Sequence, residues 1–304
     1  MTEYLIGTGG WAYFKVADKP SLKSYSEIFN FVEVNYTFYE YPRTQMVETW
    51  RRSVPTNFTF SVRCHQDLTH RIGLKPVDLA YEVFYKMKTY CDSLNSPYLV
   101  LETPSKYVVN GESKADAKDF FSGLNLKDMR LVWEYRAPIT LEVIALMKDF
   151  KIIQCVDLSR EKPAFSLDVT YSRLFGKGQH NIYQFTDDEL KEINHKAEDT
   201  NSKIVAMSYH GLRMNTDALR FLQYKKAGNF IPVTSFVGLD SARAVLAEDA
   251  KFPSSKQELM AKQGWKVIDL ASDKRVHLSE FLGRITDKTY SNIDEVINEL
   301  KLIF

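Results

Sequence analysis

Short runs of β-branched and aromatic residues recur along the chain. Between them lie stretches whose apolar residues return every three or four positions. The runs are YLIG (Tyr4 to Gly7), FVEVNYTFY (Phe31 to Tyr39), FTFSVRC (Phe58 to Cys64), YLVLE (Tyr98 to Glu102), RLVWEYR (Arg130 to Arg136), IIQCVD (Ile152 to Asp157), LDVTYSRLF (Leu167 to Phe175) and KIVAMSYH (Lys203 to His210). They read as eight strands. The intervening pattern is helical. Val83, Met87, Tyr90 and Leu94 share one face behind a cap at Asp78, and Thr186 with Glu189 forms a capping box. Thr140 to Phe150 and Asp217 to Ala227 read as further helices. Strands alternating with helices over about 230 residues predict an α/β protein of the (β/α)₈ TIM-barrel class. Only about ten residues separate the sixth and seventh runs, too few for a full crossover helix. That connection is expected to be a loop or a single turn.

The pattern changes after Gly228. Residues 230–239 read as a connection, and Asp240 to Asp249 as a short helix. Capping boxes start at Ser254 with Gln257 and at Ser255 with Glu258, and SNIDEVINELKLI is a further capped helix. The chain is therefore expected to divide into a barrel over residues 1–229 and a small all-helical module over residues 240–304. No catalytic set stands out in the module, so packing or docking a protein partner is its expected role.

Composition removes alternatives. Hydrophobic residues at 44% and charged residues at 26% suit a globular protein with a sizeable core. Forty Lys and Arg against 39 Asp and Glu leave a formal charge of +1, which excludes bulk basic charge as a drive for nucleic-acid binding. The three cysteines, at 64, 91 and 155, form no C-x-x-C pair and fit a reducing cytoplasm. The N-terminus lacks a secretory pattern, and no apolar run approaches the ~18 residues of a membrane span. GTGGW (Gly7 to Trp11) is neither a dinucleotide fingerprint nor a Walker loop, and reads as a tight turn.

Strand alternation places the chemistry. Alternate residues of a barrel strand face the interior, and functional groups gather at strand C-terminal ends. In the second run Val32, Val34 and Tyr36 share one face, and Glu33, Asn35 and Thr37 the other. In the third, Thr59, Ser61, Arg63 and His65 oppose an apolar set; in the fifth, Val132, Glu134 and Arg136 do so. The polar sets are expected inside. Glu102, Asp157, Arg173 and His210 end the fourth, sixth, seventh and eighth runs, and Thr69 and His70 lie just past the third. Arg63, Arg136 and Arg173 offer planar forks for a phosphate or carboxylate, with Asn35 and Thr37 beside them. Glu33, Glu134 and His70 suit general acid or base work. Glu102, Asp157 and His210 supply mixed oxygen and nitrogen ligands for a divalent metal. A network of buried ion pairs without chemistry is the competing reading.

The blocks IGTGGW, FNFVEVNYTFY, FTFSVRCHQDLTH, LVWEYR and TYSRLFGKG, followed by FTDDEL, resemble in their order the YecE-like family, catalogued as domain of unknown function 72. The resemblance covers roughly residues 4 to 225. It implies a TIM barrel similar to the endonuclease IV and xylose isomerase group, adds Tyr39 and Thr69 to the family motif positions, and places Tyr39 with Asn35, Thr37 and the three arginines among the expected substrate-binding residues. The sequence departs from the family pattern at ETPS after the fourth run, at Phe175 in place of a histidine, and at His210 in place of an amide. FPSSKQELM and LGRITDKTYSNIDEVINEL resemble a second uncharacterised family, domain of unknown function 2795.

The expected function is that of a barrel enzyme acting on an anionic small molecule or nucleic acid, with phosphodiester hydrolysis as the specific form. A small-metabolite isomerase or lyase and a non-enzymatic binding barrel are the alternatives. Lys15, Lys19, Lys106, Arg160, Lys162 and Lys177 are the basic residues available to the loops.

Overall fold

A computed structural model describes residues 2–179 and 181–304. Eight parallel strands close into a barrel in chain order: β1 (Glu3–Thr8), β2 (Phe31–Val34), β3 (Thr59–Arg63), β4 (Tyr98–Thr103), β5 (Arg130–Tyr135), β6 (Ile153–Val156), β7 (Val169–Leu174) and β8 (Ile204–Tyr209). β1 pairs with both β2 and β8, which closes the ring and leaves no free edge. The (β/α)₈ architecture expected from the periodicity is present.

The connections follow the sequence signals. Helix Leu141–Asp149 starts at Thr140, whose hydroxyl accepts the Val143 N–H. Thr186 and Glu189 exchange hydrogen bonds as a capping box ahead of helix Asp187–Glu198. Helix Asp78–Leu94 differs slightly: Val77 occupies the cap, and Asp78 lies in the first turn, where a carboxylate favours the helix dipole. Residues 157–168, between β6 and β7, contain no helix, as their length requires.

Inward-facing residues near the N-terminal ends of the strands are mostly apolar. Leu5, Phe31, Tyr98, Val100, Val132, Ile153, Val169 and Ala206 pack into one interior cluster with Cys155 and Tyr171. Two residues further along their strands, the same parity delivers Glu33, Glu102, Glu134 and Arg173. The barrel thus changes from an apolar floor to a charged upper layer within one step of the pleat.

The chain divides into two compact units, residues 1–174 with 196–209, and residues 175–195 with 210–304. The second unit has its own core, which includes Leu246, Leu259, Ile268, Leu282, Val296 and Leu300. It is not all-helical. Val267–Ala271 and Lys274–His277 form an antiparallel hairpin, and Ser254–Ser255 pairs with Thr289–Tyr290. The β-branched Val267, Ile268 and Val276 flank a short polar turn, a hairpin pattern rather than a helical one. Of the two overlapping capping boxes, only Ser255 with Glu258 forms, because the helix starts at Lys256 and so makes Ser255 its N-cap.

Candidate functional site

The upper layer of the barrel is an ion-pair network centred on Arg173. Burial opposes the charge of this guanidinium, but the carboxylates around it outweigh burial and raise its pKa further above the ordinary arginine value. Nε lies 3.1 Å from Glu33 Oε1, Nη1 lies 2.6 Å from Glu102 Oε2, and Nη1 also bonds Glu134 Oε2. Arg63 bonds Glu102 Oε2 and reaches Asn35 Oδ1 at 3.3 Å, with its guanidinium 3.6 Å over the Phe38 ring. Arg136 closes the set, with Nη1 2.9 Å from Glu102 Oε1 and Nε 2.7 Å from Glu134 Oε1. Three guanidiniums thus face three carboxylates, and the formal charges cancel. The competing reading of the sequence, an internally neutral set of ion pairs, describes the deep part of this layer.

Depth separates the roles. The Glu33 side chain is fully buried, and its Oε2 accepts the Tyr171 hydroxyl at 2.8 Å. Tyr171 itself lies 2.7 Å from Ser61 Oγ, so a hydroxyl pair underlies the ionic layer. Glu33, expected to do acid or base work, is sealed in as a counter-charge. The side chains of Arg63 and Arg173 are 8% and 2% exposed, and their forks are committed to carboxylates. Arg136 is 40% exposed and is the one of the three arginines that solute reaches.

Two protonatable groups border Arg136. Burial favours the neutral acid of Glu134, but Arg173 and Arg136 outweigh it and hold the carboxyl below the ordinary carboxylate range. Glu134 is therefore ionised at neutral pH. His70 shifts down, first through burial and then through the charges of Arg63, Arg136 and Lys106, against the pull of Glu102. It is neutral at neutral pH and can exchange a proton. Its Nδ1 lies 2.9 Å from Thr69 Oγ1 and its Nε2 3.9 Å from Glu102 Oε1, beyond hydrogen-bond reach. A π-helical turn, Asp67–Ile72, carries His70 and ends at Gly73 in the left-handed region. Such turns recur at functional sites.

The remaining expected residues are arranged differently. Thr37 is fully buried, with its hydroxyl 2.8 Å from the Val34 carbonyl and 2.7 Å from that of Arg63; it ties the ends of β2 and β3 together. Asn35 donates to the Gly9 carbonyl at 2.9 Å and links the β1 and β2 loops. Both position the wall of the mouth. Asp157 accepts from the Ser159 N–H and hydroxyl and lies 3.7 Å from Arg160. His210 stacks on Phe175 with ring centroids 4.8 Å apart, and both belong to the second unit. Glu102 is engaged by three arginines. Among the described residues no three His, Cys, Asp or Glu side chains gather in a metal-holding arrangement. Asp157 and His210, expected with Glu102 as metal ligands, each lie one residue past a strand end, where strand parity no longer dictates the direction of a side chain.

Alternation predicts Tyr36 on the helix-facing side, yet β2 ends at Val34 and a one-turn helix, Tyr36–Tyr39, begins two residues later. The new period exposes Tyr36 and Tyr39 at 47% and 60% and buries Thr37 and Phe38. Tyr171 and Phe38 escaped the sequence reading. Tyr171 shares inward parity with Arg173 and was legible; Phe38, beneath Arg63 and 5.1 Å from His70, was not.

Residues 5–225 match the family described as Protein of unknown function DUF72. The chain belongs to the DUF72 family. The resemblance seen in the motif blocks is thereby borne out. UPF0759 protein YunF of Bacillus subtilis (strain 168) is 34% identical over 101 residues, a stretch that is 31% of this chain and 34% of YunF. The match thus spans about a third of that curated relative's length. A DUF72 family protein from Enterococcus faecalis V583 is similar in structure, with a TM-score of 0.61 at 15% identity, covering 76% of this chain and 99% of its own. One from Thermotoga maritima MSB8 aligns with a TM-score of 0.58 at 17% identity, covering 74% and 98%. At these identities the shared property is the DUF72 fold.

Proposed function

We propose that this DUF72 barrel is an enzyme that takes a phosphate- or carboxylate-bearing small molecule at its mouth. Arg136 holds the anion, while neutral His70 and ionised Glu134 handle protons beside it. The observation that carries this reading is the contrast among the three barrel arginines: all pair with carboxylates, but two are buried, and Arg136, paired with Glu102 and Glu134, is 40% exposed. An anion arriving at Arg136 meets a charge-assisted hydrogen-bond donor next to an imidazole that can give or take a proton.

Phosphodiester hydrolysis on nucleic acid is a second reading. Exposed Lys15, Lys106 and Arg160, in loops after β1, β4 and β6, favour it, because those loops follow strand C-terminal ends.

Calorimetric titration of the full chain with inorganic phosphate and with malonate tests the anion site. The wild type is expected to bind at least one of them, and Arg136→Gln to weaken that binding by about tenfold or more, since a charged hydrogen bond contributes about 1.5–3 kcal/mol. Equal binding by wild type and variant overturns the assignment. Ligand turnover that Glu134→Gln abolishes separates an enzyme from a binding barrel.

A further inference from the structure

Beside the charged layer the structure presents an aromatic wall that the anion reading does not use. Tyr36 and Tyr39 lie three residues apart on their one-turn helix, a spacing that puts side chains on neighbouring positions of one face. Both rings are largely exposed, although Thr37 and Phe38 between them are buried. The Tyr36 ring meets Trp50 edge-on at 6.1 Å, and Trp50 in turn meets Trp11 at 5.2 Å. Tyr36 therefore stands on a braced aromatic cluster. Tyr39 contacts Phe38 edge-on at 4.9 Å, and its ring centroid lies 5.9 Å from the Arg63 guanidinium carbon.

The wall is continuous with the anion site. From Tyr39 the contacts pass to Arg63, from Arg63 to Glu102, and from Glu102 Oε1 to Arg136 at 2.9 Å. His70 packs edge-on against Phe38, so the proton-handling imidazole borders the same surface. A ligand anchored on Arg136 that extends towards β2 meets an exposed tyrosine face. Aromatic faces favour offset-stacked planar rings, and a rigid tyrosine loses little conformational freedom in providing one.

We propose that Tyr39, with Tyr36 beside it, stacks a planar aromatic ring of the ligand whose anionic group lies on Arg136. The ligand class is then an aryl or heteroaryl phosphate or carboxylate. This inference rests on the anion reading above and names the substrate class of that site.

The test compares methyl, phenyl and cyclohexyl phosphate by calorimetric titration of the wild type, Tyr39→Ala, Tyr39→Phe and Arg136→Gln. Phenyl phosphate is expected to bind the wild type about tenfold more tightly than methyl phosphate. Tyr39→Ala removes that preference and leaves methyl phosphate affinity unchanged, and Tyr39→Phe retains it. Tyr39 is exposed, so unchanged thermal midpoints confirm intact folding in both variants. If methyl and phenyl phosphate bind equally and both depend on Arg136, stacking is overturned and the anion site stands. Cyclohexyl phosphate binding as tightly as phenyl phosphate overturns the planar ring, and a phenyl preference that survives Tyr39→Ala overturns the assigned wall. If none of the three phosphates binds, this inference falls, and the anion reading stands or falls with malonate.

Discussion

Glu134 shows how one side chain's surroundings set its protonation. Burial alone would favour the neutral acid, yet Arg173 and Arg136 hold the carboxyl below its ordinary range. The folded state therefore gives up this proton more readily than the unfolded chain. The stabilisation is complete above the unfolded value of about 4.3, and it is lost as pH falls through the lower folded value. The advantage of the wild type over Glu134→Gln in urea unfolding should be largest above pH ~5 and shrink below pH ~4. A pH-independent difference would contradict this. The identity and inward direction of Glu134 were legible from alternation along RLVWEYR. Its low pKa was not, because that depends on Arg173, which β7 delivers from 39 positions away. Tyr36 teaches the reverse: strand parity holds only while the strand lasts, and β2 ends two residues before it.

At the scale of elements, Gly7 explains part of the GTGGW block. A Cβ on Gly7 would lie 1.8 Å from the Phe31 carbonyl oxygen and 2.7 Å from the Tyr25 hydroxyl. The same hydroxyl donates to the Phe31 carbonyl and accepts from the Thr8 N–H, so β1 and β2 close around one tyrosine. Gly7→Ala has no room without moving backbone and should lower stability by about 3 kcal/mol or more, measured by thermal or urea unfolding. A neutral effect would show that the strands can part there. Gly10 differs, since its φ of +109° is a conformation that other residues rarely adopt. The tight-turn reading of this block thus fits Gly10, whereas Gly7 is required by the approach of a neighbouring strand. Only the paired sheet reveals that second reason.

At the scale of the molecule, the second unit gathers residues that are far apart in the chain. Arg275 bonds Asp187 at 2.9 Å and Asp269 at 3.0 Å, and Asp187 also holds Arg220 at 2.6 Å. The Val267 N–H donates to Gln184 Oε1 at 2.9 Å. The hairpin is therefore built onto the segment before helix Asp187–Glu198, and residues 240–304 lack these partners by themselves. Arg275→Ala in the full chain leaves two buried carboxylates short of a cation and should cost about 3–5 kcal/mol. Limited proteolysis should then open sites within residues 175–195 and 210–304 before sites in the barrel. Cleavage at wild-type rates would refute this. No helix among the described residues is long and apolar enough to cross a membrane.

The sequence by itself determined the eight strands, their alternation with helices, several helix starts, and the inward direction of the polar residues in the second, third and fifth strands. These follow from periodicity and capping, which act over a few neighbouring residues. The tertiary structure alone decided which of those interior groups are sealed and which are reached by solute. Glu33, Arg63 and Arg173 neutralise charges brought by other strands, while Arg136 and His70 remain at the opening. Exposure and pKa depend on the summed field and packing of distant segments, and closure of the barrel is what brings those segments together.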